Sequence, residues 1–281
     1  MTYDLTRRSL FTGAVGVAGA GLLVQPADAV LTDVRAALDA SIRATCRNTK
    51  TGVAVLDHRT GAHYGYASTW ANNTASIVKV ILVAGVLRRA RRLGRALTTT
   101  EKTATRNAII YSDNNAATTC YRIIGGDSGI LATAKAFGMW DTLPWSGYGW
   151  GRTWTTALDQ RKLISALYLG SSALHSTDRA YLWGLMGKTD PAQSWGVGIV
   201  RSSTVTVNMK NGWVPLSNDN LWRVNTVGHV KGNGRNYTLT VLCGSVPTLS
   251  TGITRVNTIS RNVYSILGKG VLMGAVGSAL A

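Results

Sequence analysis

The sequence has few of the residues that build covalent or metal-dependent scaffolds. Its 281 residues include three cysteines, five prolines and four histidines. Three cysteines are too few for a disulfide framework or a zinc cluster, and the histidines lack metal-ligand spacing. The pairing of the cysteines stays open. There is also no G-x-S-x-G motif and no G-x-G-x-x-G after a strand, so neither an α/β-hydrolase nor a dinucleotide-binding fold is supported. We expect neither a metal nor a cofactor.

Long apolar runs are missing beyond the N-terminus, which excludes a multi-span membrane protein. The exception is the Gly/Ala-rich run Leu10–Val24, which follows the basic pair Arg7 and Arg8 and precedes an A-D-A pattern ending at Ala29. This arrangement predicts a twin-arginine-type signal peptide over residues 1–29, with a membrane-anchoring helix as the alternative. The sequence therefore predicts a secreted, periplasmic or cell-wall protein.

Acidic residues are scarce. Thirteen Asp and Glu stand against 30 Lys and Arg, which gives a formal net charge of +17. Such a charge attracts polyanions. No nucleic-acid-binding module is recognisable and the export signal argues against that partner, so an anionic cell-wall polymer is the candidate. Part of the charge is concentrated near the end of one predicted helix, where a solvated helix C-terminus is the alternative reading: Arg88, Arg89, Arg91, Arg92 and Arg95.

Hydrophobic periodicity places strands near both ends of the mature chain and helices between them. The predicted strands are 52–57, 62–67, 204–210, 222–231 and 236–244. The predicted helices are 31–45, 76–93, 113–124, 129–137, 157–169, 177–187 and 252–267.

This order predicts an α+β fold in a single enzyme domain, 30–281. A five-stranded antiparallel sheet flanked by the terminal helices is expected at about 30–67 and 189–267, with an inserted all-helical subdomain at about 68–188. A ligand site is expected in the cleft between the two subdomains.

Three short motifs could carry chemistry, although each is weak alone. S-I-V-K at 76–79 opens an apolar helix, and its lysine lies one turn beyond the serine, where it can accept the serine proton. S-D-N at 112–114 begins another predicted helix. K-N-G at 210–212 ends a predicted strand and precedes Trp213. Taken singly, the first two are more typical of helix caps than of a catalytic site, and the third is equally typical of an ordinary strand end.

Together and in this order, S-x-x-K, S-D-N and K-x-G resemble the motifs of the penicillin-recognising serine acyl-transfer enzymes. These are the class A β-lactamases and the D,D-peptidases called penicillin-binding proteins. The resemblance covers about 31–267, and the fold predicted above is the fold of that family. It implies catalytic roles for Ser76 (nucleophile), Lys79 (general base), Ser112 (proton donor to the leaving nitrogen) and Lys210. It also implies substrate binding by Asn114, Asn211, Gly212 and Trp213, with the N–H groups of residues 76 and 213 as the oxyanion hole.

One class A motif has no counterpart. The E-x-x-L-N motif, whose Glu activates the water that clears the acyl-enzyme, should fall within 138–152, where the only acid is Asp141. Asn211 also stands where the family usually has Thr or Ser. Aromatic side chains crowd the same stretch, either lining a glycan or peptide groove or packing the loop: Trp140, Trp145, Tyr148, Trp150 and Trp154.

Three functions remain open. The first is a secreted serine hydrolase acting on a β-lactam, a peptidoglycan peptide or a related amide or ester. The second is a β-lactam binder that deacylates slowly. The third is a non-catalytic cell-wall-binding protein. We adopt the first as the expectation, with a small-molecule or peptidoglycan-derived substrate. The sequence does not give the oligomeric state.

Overall fold

The computed structural model describes residues 32–216 and 220–274. The predicted signal peptide lies outside these ranges. Within them, no helix has both the length and the apolar character that a bilayer span requires. The elements in chain order are α1 (Arg35–Cys46), β1 (Lys50–Asp57), β2 (His63–Tyr66), β3 (Ala71–Asn73), α2 (Lys79–Arg92), α3 (Thr99–Ile110), α4 (Asn114–Ile123), α5 (Asp127–Ala136), β4 (Trp154–Thr156), α6 (Ala157–Leu169), α7 (Ser176–Gly187), β5 (Thr206–Pro215), β6 (Trp222–Gly232), β7 (Arg235–Val246) and α8 (Leu249–Ile266).

Five strands form one antiparallel sheet in the order β2-β1-β7-β6-β5. Strands from the two ends of the chain meet at its centre, where Val53 of β1 lies opposite Val241 of β7. A two-residue turn, Asn233-Gly234, joins β6 to β7 with φ values of 49° and 76°. Asparagine and glycine suit this turn because both of its positions need positive φ. The fold class predicted from the sequence is confirmed.

The two faces of the sheet bury different partners, because successive side chains of a strand point to opposite sides. Val53 and Val55 of β1 pack in one apolar cluster with residues of α1 and α8. Ala54, between them, belongs to a second cluster with residues of α2, α6 and α7.

Helix α2 is buried almost all round, which is typical of a helix at the centre of a domain. Residues 79–87 of this helix are buried without interruption. Helices α3, α4, α5 and α7 contact it. Because its N-terminal turn follows the S-I-V-K serine directly, packing of this helix fixes the position of Ser76.

Three features differ from the sequence prediction. Helix α3 was not predicted, because its first two turns are rich in threonine, a weak helix former. A capping box between Thr98 and Glu101 begins it nonetheless. The K-N-G motif lies within β5 rather than at a strand end, since β5 continues to Pro215. Strands β3 and β4 form a separate two-stranded sheet that was also not predicted.

Candidate active site

Ser76 lies in a short 3₁₀ turn, Ala75–Val78, that runs directly into α2. Its side chain is half-buried. The preceding residue, Ala75, has a φ of +47°, in the left-handed region that a residue with a Cβ rarely adopts. Such backbone strain is typical of functional sites and persists only where the surroundings enforce it.

Lys79 is fully buried, and its ammonium group is surrounded by oxygen atoms. Nζ lies 2.9 Å from Ser76 Oγ, 3.0 Å from Ser112 Oγ and 2.8 Å from Asn114 Oδ1, and it also donates to the Ser112 carbonyl. An ammonium group can only donate to these oxygens, whereas the neutral amine also has a lone pair that can accept from the Ser76 hydroxyl. Burial lowers the pKa of Lys79 to about 8, although the negative charge of Asp113 acts to raise it. The amine is therefore placed to act as a base.

Ser112 lies between two lysines. Lys210 Nζ is 2.9 Å from Ser112 Oγ and also donates to the carbonyl of Asn211 at 2.9 Å. Burial and the neighbouring Lys79 charge hold the pKa of Lys210 well below its usual value. Ser112 itself has a φ of +56°. The four residues predicted to be catalytic thus form one connected network.

The substrate-binding predictions divide into two groups. Asn114 contacts Lys79, and Trp213 lines the cleft beside Ser76. Asn211, by contrast, is fully buried, and its amide donates to the backbone carbonyls of Gln193 and Trp195 at 2.8 and 3.0 Å. Its side chain thus holds the backbone of the segment before β5 and is not among the residues that line the cleft. The prediction that this amide replaces a substrate-binding hydroxyl therefore has no support from its contacts.

The cleft next to Ser76 has a volume of about 280 Å³. No carboxylate is among the described residues that line it: Ala75, Ser76, Asn114, Tyr148, Gly149, Trp150, Gly151, Arg152, Trp213 and Val214. Asp141 is exposed. Its backbone N–H is held by Asp159 Oδ2 at 2.8 Å. Within 32–216 and 220–274, no group of three or more His, Cys, Asp or Glu side chains is placed to hold a metal ion.

Trp150 lines the cleft and lies next to the buried amine of Lys79. Its ring centroid is 5.0 Å from Lys79 Nζ. Its indole N–H donates to Thr118 Oγ1 at 3.2 Å. The indole shields the amine from water, and its face attracts the charged form of the lysine. Trp150 belongs to the stretch 138–152, where the sequence predicted the missing glutamate motif to fall. Nothing in the sequence indicates that its ring covers Lys79.

Asn225 on β6 holds the backbone just before the nucleophile, although no sequence pattern indicated this role. It is fully buried, and its amide donates to the carbonyls of Asn73 at 2.8 Å and Thr74 at 3.1 Å. Its oxygen accepts from the Asn72 amide at 3.2 Å. The pairing of β3 with β4 holds the same backbone, because the N–H of Thr74, just after β3, donates to the Thr153 carbonyl at 2.8 Å. These bonds fix the backbone that leads into the strained residue Ala75 and the nucleophile.

Gly212 allows β5 to approach the nucleophile turn. A Cβ on residue 212 would lie 2.7 Å from the Ser76 nitrogen, 2.8 Å from the Ile77 nitrogen and 2.9 Å from the Thr74 oxygen. All three neighbours are backbone atoms, so no side chain can move aside. We therefore expect Gly212→Ala to lower the free energy of unfolding by about 1–3 kcal/mol, as overpacking does, and to slow acylation of Ser76.

The matched control is Gly184→Ala, since a Cβ at position 184 in α7 meets no atom within 4 Å. This change should leave stability equal or slightly higher, because alanine is the better helix former. Urea unfolding of both variants checks the prediction. Equal stability of the two would contradict the close approach of β5.

Known proteins resemble this chain in sequence and in fold. A sequence model of the β-lactamase enzyme family matches residues 91–267, more than half of the chain. This match includes Ser112 and Lys210 and begins after Ser76 and Lys79. No curated protein matches the chain.

Several solved structures share the fold. A β-lactamase from Sphaerobacter thermophilus is 17% identical and superposes with a TM-score of 0.71 over 83% of this chain and 97% of its own. A representative of class A β-lactamase from Bacteroides cellulosilyticus is 17% identical, with a TM-score of 0.73 over 84% and 99%. A β-lactamase from Xanthomonas campestris is 19% identical, with a TM-score of 0.71 over 84% and 99%. At these identities the likeness supports the fold alone.

The family match thus covers α3 to α8 and three of the five sheet strands. The motif that it leaves uncovered, S-I-V-K, lies beside the two motifs that it includes. This protein belongs to the β-lactamase enzyme family and is a serine hydrolase.

Proposed function

We propose that the chain is a secreted serine acyl-transfer enzyme that forms an acyl-enzyme on Ser76. Its substrate is a peptidoglycan stem peptide or a related amide or ester, and β-lactams acylate the same hydroxyl. One observation carries this proposal: the Ser76 and Ser112 hydroxyls lie 2.9 and 3.0 Å from the same buried amine. A hydroxyl next to a base of lowered pKa is the arrangement that activates a serine nucleophile.

In the acylation step, neutral Lys79 accepts the Ser76 proton while Oγ attacks the carbonyl carbon. The N–H groups of Ser76 and Trp213 stabilise the negative oxygen of the tetrahedral intermediate. As the intermediate collapses, the C–N bond breaks and Ser112 gives its proton to the leaving nitrogen. Ser112 regains a proton from the lysines that contact its hydroxyl, Lys79 and Lys210.

Deacylation has no comparable base. Trp150 covers Lys79, and no carboxylate lines the described cleft, so a water that attacks the acyl-enzyme receives little help. General-base assistance is worth about 10²–10⁴ in rate. For β-lactams this favours slow deacylation, the second of the three functions left open by the sequence. The ring opens, the acyl group stays on Ser76, and turnover is slow. An amine acceptor, being more nucleophilic than water, would clear a peptide acyl group faster.

The acylation rate should depend on pH through Lys79. Only the neutral amine can accept the Ser76 proton, and its pKa is lowered to about 8. We therefore expect the second-order rate of acylation by an uncharged ester to rise with pH and to level off above about pH 8, falling about tenfold for each unit below it. Stopped-flow measurement from pH 6 to 10 checks this. A rate that is flat across the range would exclude Lys79 as the base.

A chromogenic cephalosporin separates the open functions. Slow deacylation predicts a burst of one ring opening per enzyme followed by a much slower steady rate. Sustained turnover without a burst would mean an efficient β-lactamase. If neither the cephalosporin nor an activated ester reacts, the non-catalytic wall-binding function replaces the proposal.

The proposed location is outside the cytoplasm. Residues 1–29 would act as a twin-arginine-type signal, and 30–281 would be the exported enzyme with its sheet and helical subdomains. Replacing Arg7 and Arg8 by lysines should retain the protein inside the cell, because this pathway recognises the arginine pair. Export that is unchanged in the variant would contradict the assignment.

A further inference from the structure

The C-terminal half of α2 and the turn that follows it present an arginine face, formed by Arg88, Arg89, Arg91, Arg92 and Arg95. Helix α2 has 14 residues. At 1.5 Å per residue its two ends are about 20 Å apart, so this face is remote from Ser76. A ligand held there would leave the cleft open.

The charge of this face is only partly balanced. Arg91 pairs with Asp178 at 3.1 Å and Arg95 with Glu101 at 2.7 Å. The guanidinium groups of Arg89 and Arg92 make no hydrogen bond or ion pair with any described residue. Arg88 contacts only a backbone carbonyl, that of Ala173. Three positive charges on adjacent turns thus have no ion-pair partner among the described residues, since the nearby Asp178 is paired with Arg91.

Helix capping does not account for these arginines. Cations near a helix C-terminus can bind the free carbonyls of its last turn. Here no guanidinium of the face donates to those carbonyls within the described residues, because Arg91 and Arg95 point to other partners. Burial and the charge of Arg92 also lower the pKa of Arg88. An anion between these two side chains would relieve that repulsion.

Two hollows flank the unbalanced arginines, and Arg88 and Arg92 line both. The larger, about 510 Å³, lies against the loop before α7 and the first turn of that helix. Its lining also includes the serines at 171, 172 and 176 and Asp178, the carboxylate that pairs with Arg91. The smaller, about 70 Å³, lies between α2 and α5 at Gly85 and Gly129. Guanidinium forks with nearby hydroxyls suit phosphate oxygens, because both are donors and the fork binds two oxygens at once.

We propose that the arginine face binds a linear phosphodiester polymer and holds the enzyme on it. A flexible chain can place successive phosphates in both hollows, whereas a flat bilayer surface cannot enter them. This binding does not depend on the serine site. A protein without acyl-transfer activity could still bind the polymer, and an active enzyme could fail to bind it.

The test uses the full mature protein and a fluorescent poly(glycerol phosphate) chain, with anisotropy titrations over a range of salt concentrations. The variant is Arg89→Gln/Arg92→Gln, in which the replaced guanidinium groups make no hydrogen bond or ion pair with a described residue. The control is Lys231→Gln/Arg261→Gln, which removes two exposed charges elsewhere. Labelling of Ser76 by a fluorescent penicillin reports on the catalytic site separately.

We expect the arginine variant to bind at least about tenfold more weakly at low salt, and its plot of log affinity against log salt to lose about two units of slope, close to one for each phosphate contact removed. The control should change by less than about threefold. Equal weakening of both variants would mean a diffuse charge effect and overturn the proposal. So would a failure to bind the polymer, or binding to phosphatidylglycerol vesicles instead of it.

Discussion

Replacing Ser76 by alanine abolishes labelling by a fluorescent penicillin, with a loss of more than about 10³-fold in the acylation rate. The change removes the one hydroxyl that contacts Lys79 Nζ from the cleft side, 2.9 Å away, and leaves the base without a nucleophile to activate. In-gel fluorescence of the purified proteins measures the effect.

Ser112→Ala is the matched control. It removes a hydroxyl of the same size from the same network, and Ser76 stays in place. Labelling should slow by about 10²–10⁴, because proton transfer to the leaving nitrogen is impaired, but the label should still be attached to Ser76. Labelling of Ser76→Ala at the wild-type rate would show that another residue is the nucleophile.

Replacing Trp150 by glutamate should give the enzyme a deacylation base that it lacks. Residue 150 lines the cleft together with Ser76, and its side chain reaches Lys79. A carboxylate there can activate a water, and we expect the penicilloyl adduct to decay about 10²-fold or more faster than in the wild type. The new charge should also raise the pKa of Lys79, because an opposite charge favours the ammonium form. Acylation near pH 7 should therefore slow in the same variant.

Trp150→Gln separates the effect of a new base from the effect of letting water into the cleft. Glutamine is similar in size to glutamate and opens the cleft equally, but its amide cannot accept a proton. Its adduct should decay less than about tenfold faster than the wild-type adduct. Equal decay in the two variants would mean that water exclusion alone keeps the acyl group in place. Adduct lifetimes come from release of label after removal of free drug.

Much of the site could be predicted because its residues form local motifs. The S-I-V-K, S-D-N and K-N-G motifs each fix two or more residues within one turn or strand, and their order identified the family. The sheet and its flanking helices follow from hydrophobic periodicity. What local patterns could not show is which distant residues meet, as Lys210 and Ser112 do at 2.9 Å.

The features that were missed depend on contacts between distant segments. Asn225 is one of several polar residues in β6, and only the folded chain brings it to the carbonyls before Ser76. Asn211 occupies a motif position, but its side chain turns to Gln193 and Trp195 because the preceding segment packs there. Helix α3 did carry a local signal, the Thr98–Glu101 capping box, which its threonine-rich composition concealed.

The central claim is that an acyl group enters on Ser76 readily and leaves slowly. Intact-protein mass spectrometry over time after mixing with a penicillin, followed by peptide mapping, tests it most directly. We predict one adduct of the full drug mass per chain, on the peptide that contains Ser76, and still present long after it has formed. An adduct on a different residue, or drug that is hydrolysed in many turnovers while the enzyme stays unmodified, would contradict it.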